Sequence, residues 1–185
     1  MQNEFFERRA NRANRVVDIV RKAGGSLDGR VKLQKITYLL RETGFDPDTY
    51  FEYEYRHYGP YSEDLAKAAE DARLFCGLRE EQRYTPWGAS YFHYALAECS
   101  CPALDPGEDK ELLLIQMANK APSVILELAA TALFLYKENA ARDPWEETKK
   151  RKPDKAENGR LQQARSFYES LRDRFEALPP LPSAC

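Results

Sequence analysis

A Gly-Pro corner at residues 58–62, Tyr-Gly-Pro-Tyr-Ser, restricts the fold more than any other feature of the sequence. The segment before it, Tyr50–Tyr58, alternates aromatic and polar residues, which is typical of a strand with one buried face. The residues after it have helical spacing as far as Cys76, and Ser62 is placed to cap that helix. Because Gly-Pro sequences favour turns, we expect a tight connection from a strand into a helix.

Two helices are predicted before the corner and a hairpin after it. Apolar residues recur at three- and four-residue steps from Asn3 to Ala23 and from Arg30 to Thr43, and Ser26–Gly29 is predicted to be the turn between these helices. After the third helix, strand-like runs at Leu78–Thr85 and Ser90–Ala95 predict a hairpin. Two helices, a strand, a third helix and a hairpin in this order are typical of a winged helix-turn-helix.

The apolar stripes of the first and third predicted helices indicate which residues form the core of this region. On the first helix, Phe6 and Val17 lie on the stripe that we expect to pack inward. On the third helix, we expect Leu65 to be buried, together with Leu74 or Phe75.

Beyond a Pro- and Gly-containing connector at 98–107, the sequence predicts a helical region. Its helices are predicted at Glu108 to Asn119, Pro122 to Ala141, Asp143 to Lys152 and Asp154 to Leu178. We therefore divide the chain into a winged-helix-like region at 1–97, the connector, a helical region at 108–178 packed on the first, and a flexible tail at 179–185. The expected fold class is α+β, mostly α, with a small antiparallel sheet in the N-terminal half and a helical C-terminal half.

The composition is that of a water-soluble globular protein, with 43% hydrophobic and 31% charged residues. The longest apolar stretch, Val124–Tyr136, is interrupted by Glu127 and is too short to cross a bilayer. Charged residues crowd the N-terminus, where a signal peptide would need an apolar segment. We therefore expect a cytoplasmic protein with no membrane partner.

No motif for catalysis or cofactor binding is present in the sequence. It has no Gly-x-Ser-x-Gly elbow, no Walker loop and no dinucleotide-binding glycine pattern. Cys99 and Cys101, with His93 upstream, could be imagined as metal ligands, but the second spaced pair of a closed zinc site is missing. We expect no cofactor, no metal and no enzymatic activity, although a site assembled from distant carboxylates stays open.

Two stretches stand out, Lys-Leu-Gln-Lys at 32–35 ahead of an apolar run, and the Gly-Pro corner. Their pairing resembles the uncharacterised bacterial YwgA-like family, and the resemblance covers about residues 14–172. More distantly it resembles the Panacea domain, which includes SocA-like antitoxins and proteolytic adaptors, and which implies toxin neutralisation or protein bridging. Tyr61-Ser62 follows the YwgA-like form, whereas Panacea proteins commonly have aliphatic residues after Gly-Pro. Three later stretches also match the YwgA-like pattern: 126–131, 145–147 and 149–153.

The third predicted helix favours a protein partner over DNA, because it carries four acidic residues and two basic ones. A winged helix that reads DNA presents basic and amide side chains, and carboxylates oppose the attraction to phosphates. We therefore expect an adaptor or antitoxin-like module whose partner is a toxin, a protease adaptor target or a defence component. For the corner and the two lysines, a purely structural or solvated role stays open beside the contact role. The expected contact residues are Lys32, Lys35, Tyr58, Tyr61, Glu63, Asp64, Lys67 and Trp87.

The alternative function is a DNA-binding transcriptional regulator of the winged-helix type. It is suggested by the first 44 residues, which hold ten Lys/Arg against five Asp/Glu. A homodimer is compatible with either function. The expected nucleic-acid contacts are Arg8, Arg12, Arg15, Lys149, Lys150, Arg151 and Lys152.

Overall fold

The computed structural model of the chain is an α+β protein, mostly helical, with two small antiparallel sheets. It describes residues 2–46, 51–56, 59–86, 88–97 and 105–182. The helices are α1 (Gln2–Lys22), α2 (Arg30–Glu42), α3 (Glu63–Phe75), α4 (Lys110–Lys120), α5 (Ser123–Lys137), α6 (Pro144–Arg151), α7 (Pro153–Ala156) and α8 (Arg160–Arg172). The strands are β1 (Ser26–Asp28), β2 (Glu54–Arg56), β3 (Gly59–Tyr61), β4 (Leu78–Tyr84) and β5 (Ser90–Leu96).

The larger sheet has the order β1-β5-β4, and both pairings are antiparallel. The predicted hairpin is confirmed as β4 and β5, which pair from Leu78 with Leu96 to Tyr84 with Ser90. The prediction of a turn at Ser26–Gly29 is wrong for the first three of these residues, because they form β1 and Leu27 pairs with Tyr94. Strand β5 therefore lies in the middle of the sheet.

The smaller sheet is formed by β2 and β3, with Tyr55 opposite Pro60. The sequence predicts that the strand stops at the corner, but residues of the corner itself form β3. Proline is tolerated here because this two-stranded sheet has only edge strands. The predicted alternation before the corner is confirmed where it is described, since Phe51 is buried and Tyr53 and Tyr55 are partly buried. His57 and Tyr58 lie outside the described residues.

The predicted helices are confirmed to within a few residues, except for the last one. The helix predicted from Asp154 to Leu178 is broken after α7, because Asn158 and Gly159 adopt the left-handed conformation, with φ of 55° and 75°. At the start of the segment predicted to be a flexible tail, the Tyr168 hydroxyl donates to the Pro179 carbonyl at 2.7 Å.

Helix α5 lies at the centre of the core, and every residue from Ile125 to Leu135 is buried. A helix that is apolar on all sides has to be covered on all sides. Helices α2, α6 and α8 and strand β3 pack against it. The buried apolar residues form one cluster that extends from Ala13 to Leu178. None of the helices in the described part of the chain combines the length and apolar character needed to cross a membrane.

Candidate functional site

The two distinctive stretches of the sequence contact each other. The Gln34 side chain donates from Nε2 to the Ser62 carbonyl at 2.9 Å, and its Oε1 accepts from the Ser62 amide at 2.8 Å. Lys35 is the next residue of α2, and its Nζ donates to the Pro60 carbonyl at 2.7 Å. The 32–35 stretch of α2 therefore fixes the backbone of the Gly-Pro corner, and Ser62 in turn caps α3 by accepting from the Leu65 amide.

Gly59 brings the corner into direct contact with α5. Its φ of +84° lies in the left-handed region, and a Cβ at this position would lie 2.3 Å from the Thr131 Oγ1. Both the backbone conformation and the space available therefore require glycine. The turn conformation and the close packing on α5 together explain the glycine of the Gly-Pro sequence. They support the structural role that the sequence left open for the corner.

A buried charge cluster lies beside this contact and joins α2, α5 and the α6–α7 junction. Glu127, on the apolar helix α5, is 3% exposed. Its carboxylate accepts from Lys152 Nζ at 2.7 Å and from Lys155 Nζ at 2.7 and 2.8 Å. Burial lowers the pKa of Lys35 to about 7, and the nearby Glu127 carboxylate only partly opposes this effect. Burial also lowers the pKa of Lys152.

Three of the lysines expected to contact a partner, Lys32, Lys35 and Lys152, are buried in the structure. Lys35 is 1% exposed and Lys152 is 5% exposed. Lys32 is 8% exposed, and its Nζ donates to the Asn119 carbonyl at 2.6 Å. These ammonium groups donate to acceptors inside the protein. The stems of the lysines also pack in the core, as long side chains often do.

Of the expected contacts on α3, Glu63 and Lys67 are exposed, and Asp64 is partly buried beside α1. Glu63 accepts from Arg56 at 3.2 Å, Asp64 forms an ion pair with Arg12 at 2.9 Å, and Lys67 is exposed. Tyr61 is half-buried, with the Arg56 guanidinium 4.4 Å from its ring centroid. This part of the expected surface is accessible to a partner. Tyr58 and Trp87 lie outside the described residues.

The basic residues of α1 are largely engaged within the chain. Arg12 pairs with α3, and Arg15 lies among three carboxylates, with its Nη1 2.6 Å from Glu111 Oε1 and its Nε 3.2 Å from Asp46 Oδ1. The third carboxylate belongs to Asp18. Of the expected nucleic-acid contacts, the residues that are exposed are Arg8, Lys149, Lys150 and Arg151.

Four large hydrophobic residues are exposed at the same end of the α1–α3 pair. The ion pairs Arg9–Asp71 and Arg12–Asp64 show that the two helices are antiparallel. Phe5 and Phe6 precede Arg9 by one turn, and Leu74 and Phe75 follow Asp71 by one turn, so all four lie beyond the same bridge. We call Phe5, Phe6, Leu74 and Phe75 the aromatic patch.

The aromatic patch contradicts the expected burial of Phe6 and of Leu74 or Phe75. Phe5, Phe6, Leu74 and Phe75 are 60%, 62%, 64% and 76% exposed. The rings of Phe5 and Phe6 pack edge to face, with centroids 5.7 Å apart. The apolar stripes of α1 and α3 therefore extend beyond the part of each helix that packs against the core. That excess of apolar turns is the only sequence signal of the patch.

Comparison with curated proteins identifies a relative. The chain is 32% identical over 113 residues to the uncharacterized protein YwgA of Bacillus subtilis (strain 168). The chain is a distant homologue of YwgA. The aligned segment covers 60% of this chain and 66% of the relative, just under two thirds of its length. This supports a YwgA-like family, whereas the Panacea domain has no counterpart in these comparisons.

No family model matches the chain, and no solved structure matches it. The described residues also contain no group of three or more His, Cys, Asp or Glu side chains that could hold a metal ion. Cys99 and Cys101 lie outside those residues, and His93 contacts the Asp28 carboxylate through its Nδ1.

Proposed function

We propose that this YwgA-like chain is a non-enzymatic protein-binding adaptor or antitoxin-like module, built on a winged-helix arrangement in its N-terminal half. The order of α1, β1, α2, α3 and the β4–β5 hairpin supports that arrangement, as does the sheet order β1-β5-β4. The β2–β3 pair is an insertion between α2 and α3. In such a frame, α3 and the hairpin are the elements presented to a partner.

The aromatic patch is the observation that carries this proposal. An aromatic residue offers about 150–250 Å² of surface, so the three phenylalanines of the patch, exposed by 60–76%, leave roughly 300–500 Å² of apolar area in water, and Leu74 adds to it. This is close to the largest apolar patch of a typical monomer, about 300–600 Å², and patches of that size are often functional. Aromatic side chains at such positions commonly act as anchors in protein interfaces.

The exposed face of α3 extends the patch into a larger surface. Glu63, Lys67 and Leu74 follow one another at four- and seven-residue steps, so they lie on one side of the helix. Charged side chains therefore border the apolar anchors on that side. An apolar centre with a charged rim is the usual composition of a protein-binding surface.

The charges of α1 and α3 favour a polypeptide over nucleic acid at this surface. Arg12 and Arg15 are held by carboxylates of the same chain. Lysines and arginines bind nucleic acid by neutralising its phosphates, which releases counterions. Arginines already paired with carboxylates of the same chain therefore add little to that binding. The acidic side chains of α3 further oppose a duplex. DNA binding by the remaining exposed residues is an outcome that the following experiment detects.

The proposal is tested by quantitative affinity capture from the native host with the tagged full-length chain. The patch variant carries Phe6→Ser and Phe75→Ser, and the matched control carries Lys149→Ser and Lys150→Ser, which are exposed on α6. We expect a protein that is enriched by wild type and control, retained at moderate salt, and reduced about tenfold or more with the patch variant. In calorimetry, the purified captured protein should bind wild type and the control variant with similar affinity and the patch variant more weakly.

Two results would contradict this function. One is the absence of any protein that depends on the patch. The other is salt-steep binding of DNA that is lost in the control variant and kept in the patch variant, which would indicate the transcriptional regulator.

A further inference from the structure

An open groove of about 470 Å³ lies on the helical half, between α4, α5 and α8. Two polar residues, Lys120 and Gln163, stand at its edges. We call it the apolar groove, and it shares no helix with the aromatic patch on α1 and α3. Its apolar lining consists of Met117, Ala121, Pro122, Ile125 and Phe167.

Cationic side chains lie in the same helical rows as the lining residues. On α4, Lys110, Met117 and Lys120 are separated by seven and three residues, so they lie along one face. On α8, Arg160 and Phe167 are seven residues apart and lie along the face that borders the groove. The apolar groove is therefore flanked by positive charge on both of these helices.

The acidic residues within α4 and α8 point away from the groove, and Glu108 and Asp109 precede Lys110 at the start of α4. The one acid within α4, Glu111, accepts from Arg15 at 2.6 Å and from Lys22 at 2.6 Å on the side that faces α1. The one acid within α8, Glu169, is two residues from Phe167 and so points to the other side of the helix. Within the described residues, Lys110 and Lys120 form no salt bridge, and Arg160 donates from Nη1 to the Asp154 carbonyl at 3.4 Å.

We propose that the apolar groove is a second docking surface, which binds a polypeptide segment that combines apolar anchors with acidic residues. This inference rests on the proposed adaptor function and extends it, because two separate surfaces would let the chain bridge two proteins. The complementary charge attracts an acidic segment, and the apolar lining holds it.

The spacing of the cations favours a peptide over a small anion. Lys110 and Lys120 are ten residues apart, which is about 15 Å along a helix at 1.5 Å per residue. One carboxylate or phosphate cannot contact both. A helical segment of about ten residues, or an extended one of about five, spans this distance with an acid at each end.

The test is selection of ten-residue peptides from a displayed library on the full-length chain, followed by anisotropy titration of the selected peptides. The charge variant carries Lys110→Glu and Lys120→Glu, both at exposed positions, and a second variant carries Met117→Ser. The matched control is Lys149→Glu on α6. We expect peptides that join Asp or Glu to apolar anchors, with binding weakened about tenfold by either groove change and less than twofold by the control.

Several outcomes would overturn the second docking surface. One is that no peptide is enriched on the wild-type chain relative to selection on the charge variant. Another is that the enriched peptides are basic. A third is that the selected peptides bind wild type and both groove variants equally. Binding to phosphatidylglycerol vesicles in place of peptides, lost in the charge variant, would assign the groove to a lipid surface. The Phe6→Ser/Phe75→Ser variant should bind the selected peptides normally. Loss of the groove with retention of patch-dependent capture would leave the proposed function intact.

Discussion

Gln34 and Ser62 form a reciprocal pair, in which one side-chain amide satisfies both the carbonyl and the amide of a single buried residue. No other side chain type supplies a donor and an acceptor in this planar arrangement except asparagine, which is shorter. The pair joins α2 to the start of α3 and thereby sets the direction in which α3 leaves the corner. The orientation of the exposed α3 face depends on it.

Replacement of Gln34 by Leu should therefore destabilise the protein by about 2–3 kcal/mol, because two buried backbone groups of Ser62 lose their partners. Replacement by Glu keeps one acceptor but places a carboxylate against the Ser62 carbonyl, and should cost at least as much. Urea unfolding followed by circular dichroism measures the free energy of unfolding. Gln163→Leu, at an exposed position of α8, is the matched control and should change it by less than about 0.5 kcal/mol.

Replacement of Gly59 by Ala should be more costly than the same change at other left-handed glycines. Gly77 also has a positive φ, of 73°, but a Cβ there would meet nothing within 4 Å. Gly77→Ala should thus cost about 1 kcal/mol from backbone strain alone. Gly59→Ala adds the clash with Thr131, and we expect a total of about 3 kcal/mol.

The clash can be isolated by a double-mutant cycle in thermal or urea unfolding. Thr131→Ala removes the Oγ1 that the new Cβ would meet, so it should recover part of the loss at position 59. Additive effects of the two changes would mean that the corner moves away from α5 without penalty, contrary to this prediction.

Removal of one partner from the buried charge cluster should be strongly destabilising. Glu127→Gln leaves Lys152 inside the core without its carboxylate, and a loss of about 3–5 kcal/mol is expected. The double variant Glu127→Met/Lys152→Met removes this buried ion pair as a whole and should be more stable than Glu127→Met or Lys152→Met alone. Lys149→Met, at an exposed position of α6, is the control. A single variant with wild-type stability would mean that water reaches the cluster.

The buried carboxyl of Asp46 should make stability depend on pH. Burial raises its pKa to about 6, and this outweighs the attraction of Arg15, whose Nε lies 3.2 Å from Oδ1. Because the folded pKa exceeds the unfolded value of about 3.9, the folded state binds the proton more tightly. The Asp46 contribution therefore favours folding increasingly as pH falls from about 7 to about 4.

This contribution is measured as the difference between wild type and Asp46→Asn. We expect the variant to gain up to about 2–3 kcal/mol over wild type at pH 7.5, and this advantage to shrink towards pH 4.5. Urea midpoints across that range give the result. Asp173→Asn, at a side chain that is 71% exposed, is the matched control. An advantage that grows towards low pH would reverse the sign and contradict the assignment.

The elements that could be predicted from the sequence are those with a strong internal period. Helices α2 and α3 and the β4–β5 hairpin carry their own apolar pattern and their own turn residues, so their bounds followed from local information. Strands β1 and β3 have three residues each, too few for a pattern, and they exist because a neighbouring strand supplies hydrogen-bond partners. No local rule identifies such strands.

The candidate site was less predictable, because it depends on which surfaces other elements cover. A lysine in a helix is normally solvated, and nothing near Lys35 in the sequence indicates that α5 and the corner enclose it. The available clue was Glu127, an acid inside the most apolar helix, which needed a buried cation as a partner. Phe6 and one of Leu74 and Phe75 were predicted to be buried, but all three are exposed, because the apolar stripes of α1 and α3 continue for one turn past the part of each helix that packs on the core.

The contact between Gly59 and Thr131 joins residues that are far apart in the chain, and it has a consequence for evolution. With the corner fixed from one side by Gln34 and Lys35, the distance between β3 and α5 cannot increase to accept a larger side chain. Positions 59 and 131 should therefore covary among relatives, with glycine retained wherever threonine or a bulkier residue faces it. A lineage that replaced this glycine would first need a smaller residue on the helix opposite.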